Sequence, residues 1–459
     1  MSIGDRLGEY FDVEEGGSDV RTETVAGLTT FLAMSYIVLV NPIILAEAIT
    51  VEGYTQVEVQ QMLAIATILS AFVATLVMAF YARRPFALAP GMGLNAFFAF
   101  TVVLGLGVPW QTALAAVFVE GLIFIAITAV GARKYVIELF PEPVKFSVGA
   151  GIGVFLLFIG LQEMQIVVAD EATLVALGDV AGSPVAGLGV LGLAATFILW
   201  ARGIKGAIVI GILGTTATGW LLTLAGVFER GVVTPETLVS PQYDVTPLAG
   251  AFLEGLRDVD PLTFTLVVFT FFFVDFFDTA GTLIGVSQFG GFLDEEGDLP
   301  EMEKPLMADA IGTTVGAMIG TSTVTTYIES STGIEEGGRT GLTALVVAAF
   351  FALAFVAVPL IAAIPAYASY IALVVVGIIM LQGVLDVDWH DPAWAVSGGL
   401  TITVMPLTYS IANGLAAGII AYPVIRTATG EPREVRLGQW LLAAALVGYF
   451  YVQTSGMLL

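Results

Sequence analysis

From Val25 to the C-terminus, apolar runs near the length of a bilayer-crossing helix, about 20 residues, follow one another with short polar breaks. Hydrocarbon offers no hydrogen-bond partner to a backbone, so only helices and closed barrels can cross it. No ten-residue alternation of barrel strands is present. The chain is therefore expected to be an all-α polytopic membrane protein. Composition agrees: 57% of residues are hydrophobic and 12% charged, where a soluble domain carries about 25% charged residues.

The basic residues set the expected topology. Arg83–Arg84, Arg133–Lys134, Arg202 with Lys205, Arg339, and Arg426 with Arg433 and Arg436 each follow an even number of spans, counted from a cytosolic N-terminus. Arg230 and Arg257 depart from the pattern, but they sit in a long loop, where the rule weakens. The acidic residues 1–24 have no apolar signal core and read as a cytosolic tail. Spans are expected at roughly 25–46, 62–82, 87–106, 111–131, 147–165, 187–201 and 206–227. A second set is expected at roughly 262–287, 306–321, 323–337, 341–364, 367–385, 393–408 and 410–426, and residues 437–452 either span or lie at the interface. The expected location is the cell membrane.

Seven plus seven gives 14 transmembrane spans, and an odd-numbered repeat must enter the membrane inverted. FLLFIGLQ (155–162) echoes VGIIMLQG (376–383), and GIKGAIVIGILG (203–214) echoes SIANGLAAGIIA (410–421). Inverted-repeat transporters bind solute where Gly or Pro interrupts matching helices. The third span carries Pro90, Gly91 and Gly93, costly inside a helix. The tenth carries the β-branched run Thr321–Ile328, followed by the helix-starting residues Glu329-Ser330-Ser331-Thr332. Short extended segments are expected to interrupt both spans, with half-helix N-termini facing each other near the midplane. Kinks settled by packing are the plainer alternative.

A charge at the bilayer centre costs at least about 2.5–3.5 kcal/mol, so each buried carboxylate invites a functional reading. The eighth span places Asp275, Asp278, Thr279 and Thr282 on one helical stripe among phenylalanines. Glu329 in the tenth span, Asp309 in the ninth and Glu120 in the fourth complete the set. No basic residue lies at comparable depth, so these acids bind cations, hold protons or accept hydrogen bonds from a solute. Asp275 and Glu329 are expected to contact substrate or coupling ion, with Asp278 a further candidate; Asp309 and Glu120 read more readily as structural. Asp309 nevertheless joins Glu329, Asp275 and Asp278 among the coupling-ion candidates.

Acids repel anionic solutes and suit a neutral or weakly acidic ring with N–H donors, on which Phe97 and Phe98 could stack. A nucleobase meets both requirements, although phenylalanine in a membrane helix is more often packing. The chain has no Cys and a single His, which removes zinc, iron–sulfur, disulfide and Ser–His–Asp chemistry. His390 lies at a membrane edge and reads as structural. No phosphate-binding GxxxxGK[ST] loop occurs, so ATP hydrolysis through a P-loop is excluded and ion gradients must drive any active transport. No metal or cofactor is expected. Asp plus Glu number 40 against 16 Lys plus Arg, a net charge of −24. Strong salt screens such self-repulsion, which points to an extreme halophile as source and argues against a nucleic-acid partner.

The blocks GMGLNAFFAF (91–100), FVDFFDTAGTLIG (273–285), ADAIGTTVGA (308–317) and TSTVTTYIESSTGIEEGGRTGLTAL (321–345) resemble the AzgA-like purine permeases of the nucleobase–cation symporter and nucleobase–ascorbate transporter superfamily. The similarity runs from VAGLTTFLAMSYIVLVNP (25–42) to about residue 426. It implies a core domain of residues 25–131 and 262–364 and a gate domain of 132–227 and 365–426. The extracellular loop would be 228–261, and 427–459 a C-terminal segment. It also implies alternating access and a homodimer formed through the gate domain. The base would sit between the broken spans, with Asp275 and Glu329 accepting its N–H groups and Asn95, Asp278 and Thr279 nearby. The expected activity is import of hypoxanthine, adenine or guanine with H+ or Na+. The rivals are a same-fold carrier of uracil, xanthine or an anion, then a channel, then an intramembrane enzyme. An anion carrier would show a basic residue at the tenth-span break, and the nearest, Arg339, lies about ten residues on.

Overall fold

The computed structural model describes residues 3–131, 139–236, 240, 242–257, 259–295 and 299–454. Arg133 and Lys134 of the topology argument lie outside them. Ten helices among the described residues are long and apolar enough to cross a membrane, from Val20–Ala46 to Ile411–Ala428. The protein is a mostly helical, multi-pass membrane protein.

Four segments assigned as spans from the sequence are shorter. The ninth is the 17-residue helix Glu303–Ile319 and the thirteenth the 16-residue helix Pro392–Leu407. The third consists of strand β1 (Leu88–Pro90), the helix Met92–Ala96 and a π-helical stretch Phe97–Gly105. Two strands between spans, β2 (Val167–Asp170) and β3 (Leu174–Leu177), form an antiparallel hairpin. The Thr173 backbone N–H holds the Asp170 carboxyl at its turn below the usual carboxylate range. The tenth segment is strand β4 (Val324–Thr326) and the helix Ser330–Glu335. The last apolar stretch is the helix Leu437–Thr454.

Local chemistry explains where the long helices begin. Ser183-Pro184, Asp260-Pro261 and Asp391-Pro392 each put an N-cap oxygen onto a first-turn N–H and a proline where no donor is needed. Thr55 and Glu58 close a reciprocal capping box on Gln56–Val77. Glu23 is buried and accepts from the N–H groups of Arg339 (2.9 Å) and Thr343 (3.1 Å), so it caps the helix Gly341–Leu353 from another part of the chain.

Contacts divide the chain into two units, Met1–Ala129 with Gly160–Val375 and Val130–Ile159 with Val376–Leu459. In the second, Pro392–Leu407 packs on Ile411–Ala428 through small residues; a Cβ on Gly418 would lie 2.0 Å from the Thr401 hydroxyl. Arg426 is buried there and ion-paired to Asp391 (2.8 Å) and Glu431 (2.7 Å).

The first unit holds β1 and β4, which pair antiparallel. A two-stranded ribbon leaves half its backbone groups without ladder partners, and in an apolar interior those must be satisfied otherwise. Two threonines do this in the same way. Thr75 of Gln56–Val77 donates to Leu88 O (3.0 Å) and accepts from Leu88 N (3.1 Å). Thr313 of Glu303–Ile319 donates to Val324 O (2.9 Å) and accepts from Val324 N (3.1 Å). The two helices approach closely, since a Cβ on Gly312 would meet Ala74 Cβ at 2.6 Å. Thr75→Val and Thr313→Val each strand one buried N–H and one buried C=O. Each is expected to destabilise the fold by about 1–3 kcal/mol and to lower the melting temperature in detergent by similar amounts. A Thr313→Val protein as stable as wild type would contradict this role.

Candidate functional site

The register of the strand pair is Leu88↔Thr326, Ala89↔Thr325 and Pro90↔Val324. Gly91 N–H to Thr323 O (2.9 Å) and Tyr327 N–H to Ala87 O (3.0 Å) extend it at both ends. Tyr327 donates its hydroxyl to Pro90 O (2.5 Å), and Ser330 Oγ accepts from Ala87 N (3.0 Å). Proline suits such an edge, having no N–H to place. Glycine is required at 91, where a Cβ would lie 2.6 Å from Thr325 Cγ2.

Beyond Gly91 the chain turns into the short helix bearing Asn95. Asn95 is buried, its Oδ1 accepts from Ser322 Oγ, and its Nδ2 has no hydrogen-bond partner among the described residues. Phe97 and Phe98 follow on the π-helical stretch, a geometry frequent at functional sites. Both are fully buried and pack on Phe271, Phe97 edge-on at 4.8 Å between centroids and Phe98 at 6.4 Å.

The 30-residue helix Pro261–Gly290 packs against β4, Ser330–Glu335 and Trp110–Ala129, and the acids separate into two layers. In the outer layer, Glu329 is partly exposed beside Ile328, itself 50% exposed. Tyr36 donates to Glu329 Oε1 at 2.7 Å. Asp278 is also partly exposed, bonds Thr325, and lies within electrostatic reach of Glu329.

The inner layer is sealed. Asp275, Glu120 and Asp309 have no exposed surface. The Asp275 and Glu120 carboxyls are within hydrogen-bonding reach of each other, and Thr313 Oγ1 makes a long 3.5 Å contact to Asp275 Oδ2. Asp309 accepts from the Thr326 backbone N–H and from Thr279 Oγ1 (2.8 Å), and Thr279 meets Thr325 Oγ1 at 2.7 Å. A threonine chain thus links the strand pair to both layers.

Several site residues were not anticipated. Tyr36 sits where Val20–Met34 gives way to Ile37–Ala46; the polar pair Ser35-Tyr36 inside a span is the signal for it. Asn41 bonds Thr67 (2.7 Å) and Thr321 (3.0 Å), tying the first span to the start of the β4 segment. Thr75, Thr313, Ser322 and Thr325 carry only the signal of hydroxyls beside interrupted spans. A separate cleft of about 700 Å³, lined by Thr50, Glu52, Trp110, Gln111, Thr246 and Glu254 among others, includes none of the acids above.

Comparison with known proteins matches residues 21–417 to the Permease family. The chain is 38% identical to adenine permease AdeP of Escherichia coli K12, over 94% of this chain and 92% of that one. It is 39% identical to guanine/hypoxanthine permease PbuG of Bacillus subtilis, over 96% and 98%. Among solved structures, the transmembrane domain of the cyanobacterial bicarbonate transporter BicA superposes with a TM-score of 0.58 at 15% identity, covering 88% of this chain and 97% of that one. That likeness establishes the fold. Together with the motifs around Asn95, Asp275 and Glu329, these matches show that the chain belongs to the Permease family, among the AzgA-like permeases of the nucleobase–ascorbate transporter superfamily.

Proposed function

We propose that this protein is a secondary active transporter that imports purine nucleobases, hypoxanthine, adenine or guanine, together with H+ or Na+. The observation that carries this reading is the outer layer: two partly exposed carboxyl groups, Asp278 and Glu329, flank the strand pair in a setting with no cationic side chain. The elements Leu88–Gly105, Trp110–Ala129, Pro261–Gly290 and Val324–Glu335 contain no Lys, Arg or His. Carboxylates accept hydrogen bonds and repel anions, so the site selects N–H donors on a neutral ring. The purine permeases among the relatives support the same substrate class.

In this reading Glu329 and Asp278 accept N–H groups of the base, and Asn95 helps fix it. The sequence marks Asp275 for contact with substrate or coupling ion. Its sealed position fits the coupling-ion role better, and Phe97 and Phe98 shape the wall from behind. Arg339 does not favour an anion, since its guanidinium bonds the carbonyls of Ile334 (2.8 Å) and Gly338 (2.9 Å). The fold is read as 14 spans in two inverted repeats with a core and a gate domain, working by alternating access. The setting is read as the cell membrane of a halophile, with a cytosolic N-terminus and the gate domain as a dimer surface.

The test is uptake of radiolabelled hypoxanthine into proteoliposomes at high salt, with adenine, guanine, xanthine and uracil as competitors under imposed pH or Na+ gradients. Saturable uptake inhibited by adenine and guanine is expected, and the driving gradient identifies the coupled ion. Folded protein that moves no nucleobase would overturn the substrate assignment.

A further inference from the structure

Glu120 stands apart from every role described so far. It lies on Trp110–Ala129, has no exposed surface, and neither carboxyl oxygen has a hydrogen-bond donor among the described residues. The group facing it within hydrogen-bonding reach is the Asp275 carboxyl, whose Oδ1 is equally without a donor. The elements packed on this helix add only more acids near the pair, Asp278 from Pro261–Gly290 and Asp309 from Glu303–Ile319. Phe97–Gly105 contributes no ionisable group, Glu254 sits on Phe252–Gly255 at the helix's other end, and Lys304 is ion-paired to Glu301 at 2.7 Å. Two carboxyl groups can hydrogen-bond to each other only when one carries a proton, which then sits between them. Two ionised carboxylates here would be desolvated, adjacent and uncompensated, the costliest arrangement available.

We propose that Glu120 and Asp275 form a proton-sharing carboxyl pair that is the coupling site of the transporter, distinct from the outer layer that holds the solute. This rests on the proposed transport reading for its function, but the shared proton does not. In the pair the proton bridges one oxygen of each residue. Asp275 and Asp278 lie one turn apart on the same helix, and Asp275 touches Thr313, which clamps β4. Loss of the proton leaves two repelling charges behind the strand pair, and occupancy of the outer layer is thereby linked to protonation of the inner one. Glu120 acts as a positioning and proton-holding residue and does not contact the solute.

Two measurements on the full-length protein test this. In infrared spectra near neutral pH, the carbonyl band of a protonated carboxylic acid should be present in wild type. The same component should be lost in both Glu120→Gln and Asp275→Asn, because either change removes one half of the pair. Retention of that component in both variants would overturn the pair whether or not the protein carries nucleobases. In proteoliposomes, Glu120→Gln should keep hypoxanthine exchange without a gradient and lose accumulation driven by an inward proton gradient. Proton-driven accumulation equal to wild type, or accumulation driven only by Na+ and unchanged in Glu120→Gln, would overturn the coupling role. A wild-type protein that moves no nucleobase defeats the transport reading instead, and the infrared result still decides the pair.

Discussion

Glu329→Gln is expected to abolish nucleobase uptake while the protein still reaches the membrane with near wild-type stability. Glu329 stands at the start of the helix after β4, is partly exposed, and its carboxyl accepts from the Tyr36 hydroxyl at 2.7 Å, a group that can also bond a glutamine. The fold therefore tolerates the change. The solute does not, because an amide replaces a charged acceptor and turns an NH2 donor toward the N–H groups of the base. A hydrogen bond to a charged group is worth about 1.5–3 kcal/mol, roughly 10- to 150-fold in affinity, and leaving the donors unpaired adds to that. Tyr36→Phe removes only the group that orients Glu329. It is expected to weaken uptake by roughly tenfold, about 1.5 kcal/mol, the lower end of what a hydrogen bond to a charged group is worth. Near-normal uptake by Glu329→Gln would rule out its role.

Gly91→Val is expected to have the second large effect, on a residue that touches no solute. The added Cβ alone would lie 2.6 Å from Thr325 Cγ2, and Thr325 is bonded to both Thr279 and Asp278. The strand pair cannot open to accommodate it without giving up Gly91 N–H to Thr323 O and the Thr75 and Thr313 clamps. Overpacking of this kind costs about 1–3 kcal/mol. The loss falls on the segment that sets the spacing of both acid layers, so transport should vanish before the fold does. Gly214→Ala is the control: its Cβ meets nothing within 4 Å in the helix Ala207–Leu224, and it should leave uptake unchanged. Wild-type transport by Gly91→Val would show that the strand pair has slack that these contacts do not allow.

The long apolar helices and the acids inside them were legible because each is a local signal: a run of apolar residues, or a carboxylate where none belongs. Pro90, Gly91 and the β-branched run at 321–328 marked the stretches that carry β1 and β4. Their matching repeat positions put the two stretches opposite each other, but the register Leu88↔Thr326 was not legible, because it joins residues far apart in the chain and no local pattern encodes it. The separation into layers was equally hidden. Asp275 and Asp278 share a helical stripe, yet one faces Glu120 in a sealed interior and the other faces the partly exposed Glu329 side. Helical spacing gives a common direction and says nothing of which turn meets open space. Glu23 looked like part of an acidic tail and instead caps Gly341–Leu353. Phe97 and Phe98 illustrate how little an aromatic near a site says about exposure, since their rings are spent on Phe271.

The most direct test of the central claim is an experimental structure of the protein with hypoxanthine bound at high salt. The base is expected beside the strand pair, with ring N–H groups within hydrogen-bonding distance of the Glu329 and Asp278 carboxyls and no contact to Glu120. A base held elsewhere, for instance in the cleft lined by Thr50, Glu52 and Trp110, would contradict it.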